Sequence, residues 1–281
     1  MERKVRQFIF DTFKDCFQFM EVPLTNYDAF TQSLSHQIQI KEGGNIQFSF
    51  DVELDQRIKD SLTKHEITGT VFSEESGWYE LAGEKRYKVI YDPFCNSSLA
   101  ARAFREGALG ISFFTYDNIF ITSAILDFQT GLMAIVDGEK TKFFQIQTGK
   151  EIILNSPSVD KLNAAWIVFS LETRDERLSL DEASEIFRDA KRVIISSGHM
   201  YWLKLAAGFI DAYIDPFGGE ELYEMFASAI AQRAGCKVTD RNGIDFDPSK
   251  YLKTFEQDRH FTYYPIAARS EKLHKQLLES L

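Results

Sequence analysis

Four strand-like runs, residues 109–116, 119–127, 132–136 and 142–147, follow one another with only turn signals between them. Asp117-Asn118, Thr130-Gly131 and Asp137-Gly138 fill the gaps, and such pairs suit the tight, left-handed backbone of a hairpin turn. This pattern predicts an antiparallel meander. Past Asn155-Ser156-Pro157-Ser158 the pattern changes. Strands at 164–171, 192–196 and 212–214 alternate with helices from Ser179, at 200–207 and at 221–234. Alternation of that kind favours an α/β layer. Ser179 and Glu182 have the spacing of a capping box, which supports a helix start there.

Upstream of the meander, residues 2–20 read as an amphipathic helix. Val5, Phe8, Ile9, Phe13, Cys16, Phe17 and Met20 recur at helical spacing, with Phe10 and Phe19 off that stripe as if the helix were covered on a second side. Gly43-Gly44 marks a turn before a strand at 45–50, where Ile46, Phe48 and Phe50 alternate with polar residues. Asp51 is placed to cap a following helix that carries Leu54, Ile58 and Leu62 on one face. A further strand at 264–268 leads into a terminal helix with Leu273, Leu277, Leu278 and Leu281 on its apolar side. The expected organisation is a layered α+β / α/β sandwich. Residues 1–155 form an α+β half, an antiparallel sheet with a helix pair, and residues 156–281 form an α/β half.

The 281 residues are 44% hydrophobic, enough for a sizeable core. A net charge of −10 and a pI near 5.1 argue against a general binder of nucleic-acid backbones. No apolar run reaches membrane-spanning length, and the charged N-terminus is unlike a signal peptide. The three cysteines, Cys16, Cys95 and Cys236, are widely spaced and odd in number, as expected of a cytoplasmic protein without a disulfide framework. The five histidines show no zinc-ligand spacing.

Chemistry concentrates between Ser73 and Ser98. Two short apolar runs, 67–72 and 87–91, are each followed by an acidic cluster: Ser73-Glu74-Glu75-Ser76, then Asp92-Pro93-Phe94-Cys95-Asn96-Ser97-Ser98. Carboxylates at neighbouring strand ends can share a hard cation, because Mg²⁺ and Ca²⁺ prefer several oxygens. The same residues also read as an acidic surface loop and a proline-containing turn.

Taken as a whole, the stretch resembles the inositol monophosphatase and fructose-bisphosphatase superfamily, whose members carry Glu-Glu-Ser and then Asp-Pro-x-Asp-Gly-Thr. Here Cys95 stands where the second Asp belongs, Asn96 where Gly belongs and Ser97 where Thr belongs. The resemblance runs from about residue 5 to the C-terminus. It implies a sugar-phosphatase-like fold and hydrolysis of small polyol or sugar phosphomonoesters with Mg²⁺, with Mn²⁺ and Zn²⁺ as alternatives. It further implies that Glu74, Asp92 and the Phe94 carbonyl hold a first ion. Asp51 and Ser97 would then orient the attacking water, with Glu74 also in the catalytic set. Ser98, Gly198 and Asp215 would lie on the substrate side. A second ion would need Cys95 and the residue answering to the Asp of the family's Trp-Asp-x-Ala-Ala motif. That residue is Glu224 if Tyr223-Glu224 is the match, Tyr223 on a strict count back from Gly235, or else Glu221. The family's assembly implies a homodimer with a phosphorylated metabolite as ligand, and neither nucleic acid nor membrane as partner. The alternative is a catalytically degenerate relative that binds a phosphorylated ligand or a protein. Without the resemblance, Asp51 is a helix cap, Gly198 a tight turn and Cys95 a small apolar filler.

Overall fold

The structure is a computed structural model and describes residues 1–25, 37–40, 46–100, 106–154, 156–171 and 180–281. It divides into two compact units. The first is Met1–Gly138 with Phe144–Ile152, and the second is Glu139–Phe143 with Ile153–Leu281.

The first unit begins with helix α1 (Arg3–Thr25), strands β1 (Gln37–Ile40) and β2 (Ile46–Phe48), and helix α2 (Ser49–Lys64). Strands β3 (Gly69–Ser73), β4 (Gly77–Leu81) and β5 (Tyr87–Cys95) follow, then the single turn α3 (Ser97–Ala100). The meander is β6 (Ala108–Thr115), β7 (Phe120–Asp127), β8 (Leu132–Asp137), β9 (Lys140–Gln145) and β10 (Lys150–Ile152). Together these make an eight-stranded sheet in the order β10-β9-β8-β7-β6-β5-β3-β4. The β5–β6, β6–β7 and β7–β8 pairs are antiparallel, whereas β3 and β5 run parallel with Ser73 opposite Tyr91. That parallel pairing brings Glu74, just past β3, and Asp92 of β5 to the same end of the sheet.

The α1 stripe is buried from Val5 to Met20 and packs with Phe50, Leu54, Ile58 and Leu62 of α2 over Val89, Ile111, Phe113 and Leu126 of the sheet. Each such apolar side chain contributes roughly 1.5–3 kcal/mol on leaving water. The second side of α1 is covered too: Phe10 meets Phe144 edge-on at 5.0 Å, and the Arg57 guanidinium sits 4.4 Å over the Phe19 ring. Gly69 admits no side chain. A Cβ there would lie 1.9 Å from the Tyr87 carbonyl oxygen, so β3 and β5 can pair only around a glycine.

The second unit contains β11 (Trp166–Phe169), α4 (Ser184–Asp189), β12 (Arg192–Ile195), α5 (His199–Ala207), β13 (Ala212–Ile214) and β14 (Glu220–Glu221). Next come α6 (Leu222–Met225), α7 (Ala229–Arg233), β15 (Lys237–Asp240), α8 (Pro248–Gln257), β16 (Thr262–Tyr263), β17 (Pro265–Ala268) and α9 (Glu271–Glu279). Its five-stranded sheet has the order β12-β11-β13-β17-β15, parallel across β12-β11-β13 and antiparallel beyond. Alternate residues serve opposite faces. Ile167, Phe169 and Ile214 pack with Ile186 of α4 and with Leu273 and Leu277 of α9. Tyr213, next to Ile214, meets Trp202 of α5 at 4.8 Å.

The layered architecture expected from the sequence is present, with corrections of detail. Phe50 belongs to α2 and not to a strand, so Asp51 is in the first helical turn rather than at the cap. β5 continues through Asp92-Pro93 to Cys95 instead of ending at Tyr91. The expected helix over 221–234 is broken: Glu221 is in β14, and a short tight helix, Phe226–Ser228, separates α6 from α7. Ser179 and Asn45 lie outside the described residues, and the described helix after β11 starts only at Ser184. Helix α8, begun by an Asp247 side chain that accepts the Ser249 and Lys250 amides ahead of Pro248, was not expected at all.

Candidate functional site

Within the first unit, the sequence-predicted residues gather at the ends of β3 and β5 and the start of α2. Asp92 and Cys95 are both in β5, where a regular strand would point residues three apart to opposite faces. The register shows why they do not diverge. Asp92 is opposite Gly110 and Cys95 opposite Ala108, so one extra residue is accommodated at Pro93-Phe94. Such a bulge re-phases the strand, and proline, with no amide to give to the ladder, is well suited to it. A carboxylate oxygen of Asp92 and the Cys95 sulfur accordingly lie within 4.8 Å of each other. Both residues are buried, and Asp92 Oδ1 accepts the Phe94 amide at 2.9 Å. The Phe94 ring is locked between Phe50, at 4.8 Å, and Phe128, stacked at 5.0 Å, which fixes the backbone carrying its carbonyl.

Asn96 has φ +70°. It keeps the left-handed backbone that a glycine would provide, and asparagine is the side chain that tolerates this best. Its carbonyl accepts the Leu99 and Ala100 amides, so α3 starts there, with Ser97 half-buried and Ser98 exposed.

Asp51 is 1% exposed and its Oδ2 accepts the Phe48 amide at 2.9 Å, closing the first turn of α2. One turn on, Asp55 is also buried and collects four donors. Ser73 Oγ and Tyr91 OH reach its Oδ1 at 2.5 and 2.6 Å, and Ser76 Oγ and Lys59 Nζ reach its Oδ2 at 2.6 and 2.7 Å. Burial pushes this carboxyl up, but the hydrogen bonds from Lys59, Ser73, Ser76 and Tyr91 together outweigh it and hold it below the usual carboxylate range. Burial, followed by neighbouring Tyr79 and Asp55, pushes the Tyr91 hydroxyl well up, so it stays a donor. Glu74 and Glu75 are half-buried in the turn between Ser73 and Ser76. The Glu74 amide is given to the Tyr91 carbonyl at 3.1 Å, and the Gln47 amide group holds the Glu75 carboxylate.

Within the second unit, Gly198 precedes α5 with φ +100° and ψ 175°, a conformation essentially reserved for glycine. Its own amide does not face an anion: it is directed to the Tyr213 hydroxyl at 3.3 Å. Tyr213 in turn donates to Glu220, and the other Glu220 oxygen accepts Trp202 Nε1 at 3.1 Å. Burial, then the nearby Glu220 and Asp215, push the Tyr213 hydroxyl well above its ordinary range. Asp215 is buried and its Oδ1 accepts the Gly218 and Gly219 amides, both at 3.1 Å. The acidic candidates separate clearly. Glu224 in α6 brings a carboxylate oxygen within 4.8 Å of a ring nitrogen of His199. Glu221 instead pairs with His260 at 3.7 Å.

Four residues here escaped the sequence reading. Asp55 could have been found from its spacing to Asp51, since i and i+4 share a helix face. His199 follows the singled-out Gly198, but as one histidine without a spaced partner it gave no metal signal. Gln47 and Glu220 gave none.

No protein-family model matches the chain, and no curated protein matches it by sequence. Solved structures do. The extragenic suppressor protein suhB from Bartonella henselae superposes with a TM-score of 0.77 at 15% identity, over 98% of this chain and 97% of that one. An inositol monophosphatase–fructose 1,6-bisphosphatase gives 0.76 at 18% identity, over 100% of both chains. A staphylococcal IMPase complexed with products gives 0.67 at 15% identity, over 94% of this chain and 92% of that one. Among the described residues no helix is long and apolar enough to cross a membrane. The chain has the fold of the inositol monophosphatase and fructose-bisphosphatase superfamily.

Proposed function

We propose that this chain is a divergent Mg²⁺-dependent phosphomonoesterase acting on a small polyol or sugar phosphate. The observation that carries the reading is the pairing of β3 with β5 in parallel, which sets Glu74 and Asp92 at the same end of neighbouring strands with Asp51 at the adjoining helix start. The donors suit the ion: two carboxylates and the Phe94 carbonyl are hard oxygens, and Mg²⁺ keeps several waters besides. Bound there, Mg²⁺ would supply a nucleophilic water at neutral pH and charge stabilisation on the phosphoryl oxygens. Asp51 and Ser97 are assigned to orienting that water, a task for which Ser97 brings both a donor and an acceptor. Ser98 and Asp215 are assigned to the substrate, together with the backbone that follows Gly198.

Cys95 does not fit a second Mg²⁺, since a thiol replaces a hard anionic oxygen. That observation favours a second reading: a non-catalytic protein that keeps the fold to bind a phosphorylated ligand or a protein partner. A phosphate-release screen over inositol, fructose and other sugar phosphates, with Mg²⁺, Mn²⁺ and Zn²⁺ supplied in turn, separates the two. Release with any substrate supports the enzyme, and binding without release supports the second reading. Assembly as a homodimer in the cytoplasm completes the proposal. A monomeric mass across micromolar concentrations contradicts the dimer.

A further inference from the structure

Asp55 makes contacts that a helix needs for nothing of its own. Its four donors come from three places: Lys59 of its own helix, Tyr91 of β5, and the two serines that bracket Glu74-Glu75. Ser73 is the pivot. While its hydroxyl donates to Asp55, its oxygen accepts the Glu75 amide at 3.1 Å and the Ser76 amide at 3.3 Å. Tyr91 is tied at both ends, its hydroxyl to Asp55 and its carbonyl to the Glu74 amide. The backbone of the Glu74-Glu75 turn is therefore fixed through groups that converge on one buried carboxylate.

We propose that Asp55 is the positioning residue of the metal site: acting through Ser73, Ser76 and Tyr91, it sets the turn from which Glu74 reaches a divalent cation. The inference rests on the metal-site reading above. Partners that orient a metal ligand affect affinity for the ion strongly, commonly about 10–100-fold. Asp55 itself touches neither ion nor substrate, so its loss acts on metal affinity and leaves turnover at saturating metal largely intact.

The test is calorimetric titration of the full-length chain with Mg²⁺ alone, paired with phosphate release as a function of Mg²⁺ concentration. Asp55→Asn removes the charge that the four donors share. Ser76→Ala removes one hydroxyl from an exposed turn position, where no packing is lost. Ser76→Thr restores the hydroxyl. The expected results are a Kd for Mg²⁺ raised about tenfold or more in Asp55→Asn and about threefold in Ser76→Ala, with recovery in Ser76→Thr. The rate at saturating Mg²⁺ should stay near that of the parent chain. A merely structural role would lower the folded fraction or the saturated rate and would not move the metal constant. Wild type that binds Mg²⁺, with unchanged affinity in Asp55→Asn and Ser76→Ala, overturns this inference alone. Wild type that binds no Mg²⁺ at millimolar concentration overturns the metal-site reading and this inference with it.

Discussion

Asp92 and Cys95 stand three residues apart in one strand, yet a carboxylate oxygen of Asp92 and the Cys95 sulfur lie within 4.8 Å of each other, because the strand accommodates one extra residue at Pro93-Phe94. The bulge keeps position 95 beside Asp92 whatever residue occupies it. A carboxylate introduced there would face the same way as Asp92 and meet a divalent ion with a second anionic oxygen. Cys95→Asp should therefore tighten Mg²⁺ binding by about tenfold, equivalent to ~1.4 kcal/mol, and raise phosphate release. Without metal, the same change should lower stability slightly, since two nearby carboxylates repel. Calorimetry and urea unfolding with and without Mg²⁺ check both halves.

Asn96 holds φ +70°. Asn96→Ala should cost about 1–2 kcal/mol, because a Cβ without a polar side chain pays the left-handed penalty in full. Asn96→Gly should stay within about 0.5 kcal/mol of the parent, as relief of strain and a freer unfolded chain oppose each other. Urea midpoints at constant slope measure this.

Asp55 gives a pH dependence with a definite sign. Its folded carboxyl is held below the ordinary range, so its contribution is present above the unfolded value near ~3.9 and is lost as pH falls through the folded value. Asp55→Asn should lower stability at pH 7 by about 1.5–3 kcal/mol, the usual worth of hydrogen bonds to a charged group. The gap between parent and variant should narrow as pH falls below about 4. Unfolding measured from pH 7 to pH 2.5 gives the comparison.

Gly198→Ala tests the start of α5. With φ +100° and ψ 175° at that position, a Cβ should cost about 1–3 kcal/mol. The change should also loosen the packing of Trp202 against Tyr213, which near-UV circular dichroism would register.

Much of this architecture is legible in the sequence. The meander was readable because its turns carry their own chemistry: Asn118, Gly131 and Gly138 all adopt positive φ. Helix α1 was readable because a 3.6-residue period marks one buried face and the displaced Phe10 and Phe19 mark a second. The bulge in β5 was not. Proline after a strand reads locally as a turn, and only pairing with β6 reveals that the strand continues through Asp92 to Cys95. The broken 221–234 segment failed for a related reason. Its composition suits one helix, while β14 forms by pairing Glu220 and Glu221 with Tyr263 and Thr262, about 40 residues along the chain. In the candidate site, Glu74 and Asp92 are proposed from a motif and Asp51 from its place at a strand-to-helix junction. Asp55 was missed because its partners, Ser73, Ser76 and Tyr91, come from other segments and become neighbours only when β3 and β5 pair.

The proposed reaction is hydrolysis of a phosphomonoester that depends on Mg²⁺ held at Glu74 and Asp92. The most direct test is release of inorganic phosphate from the best substrate of the panel, by wild type and by Asp92→Asn, with Mg²⁺ titrated from zero to saturation. The prediction is release that requires Mg²⁺ in wild type and falls by about 100-fold or more in Asp92→Asn, since a metal's charge stabilisation is worth several kcal/mol. Release that is equal in the two proteins, or that proceeds undiminished without divalent metal, would contradict it.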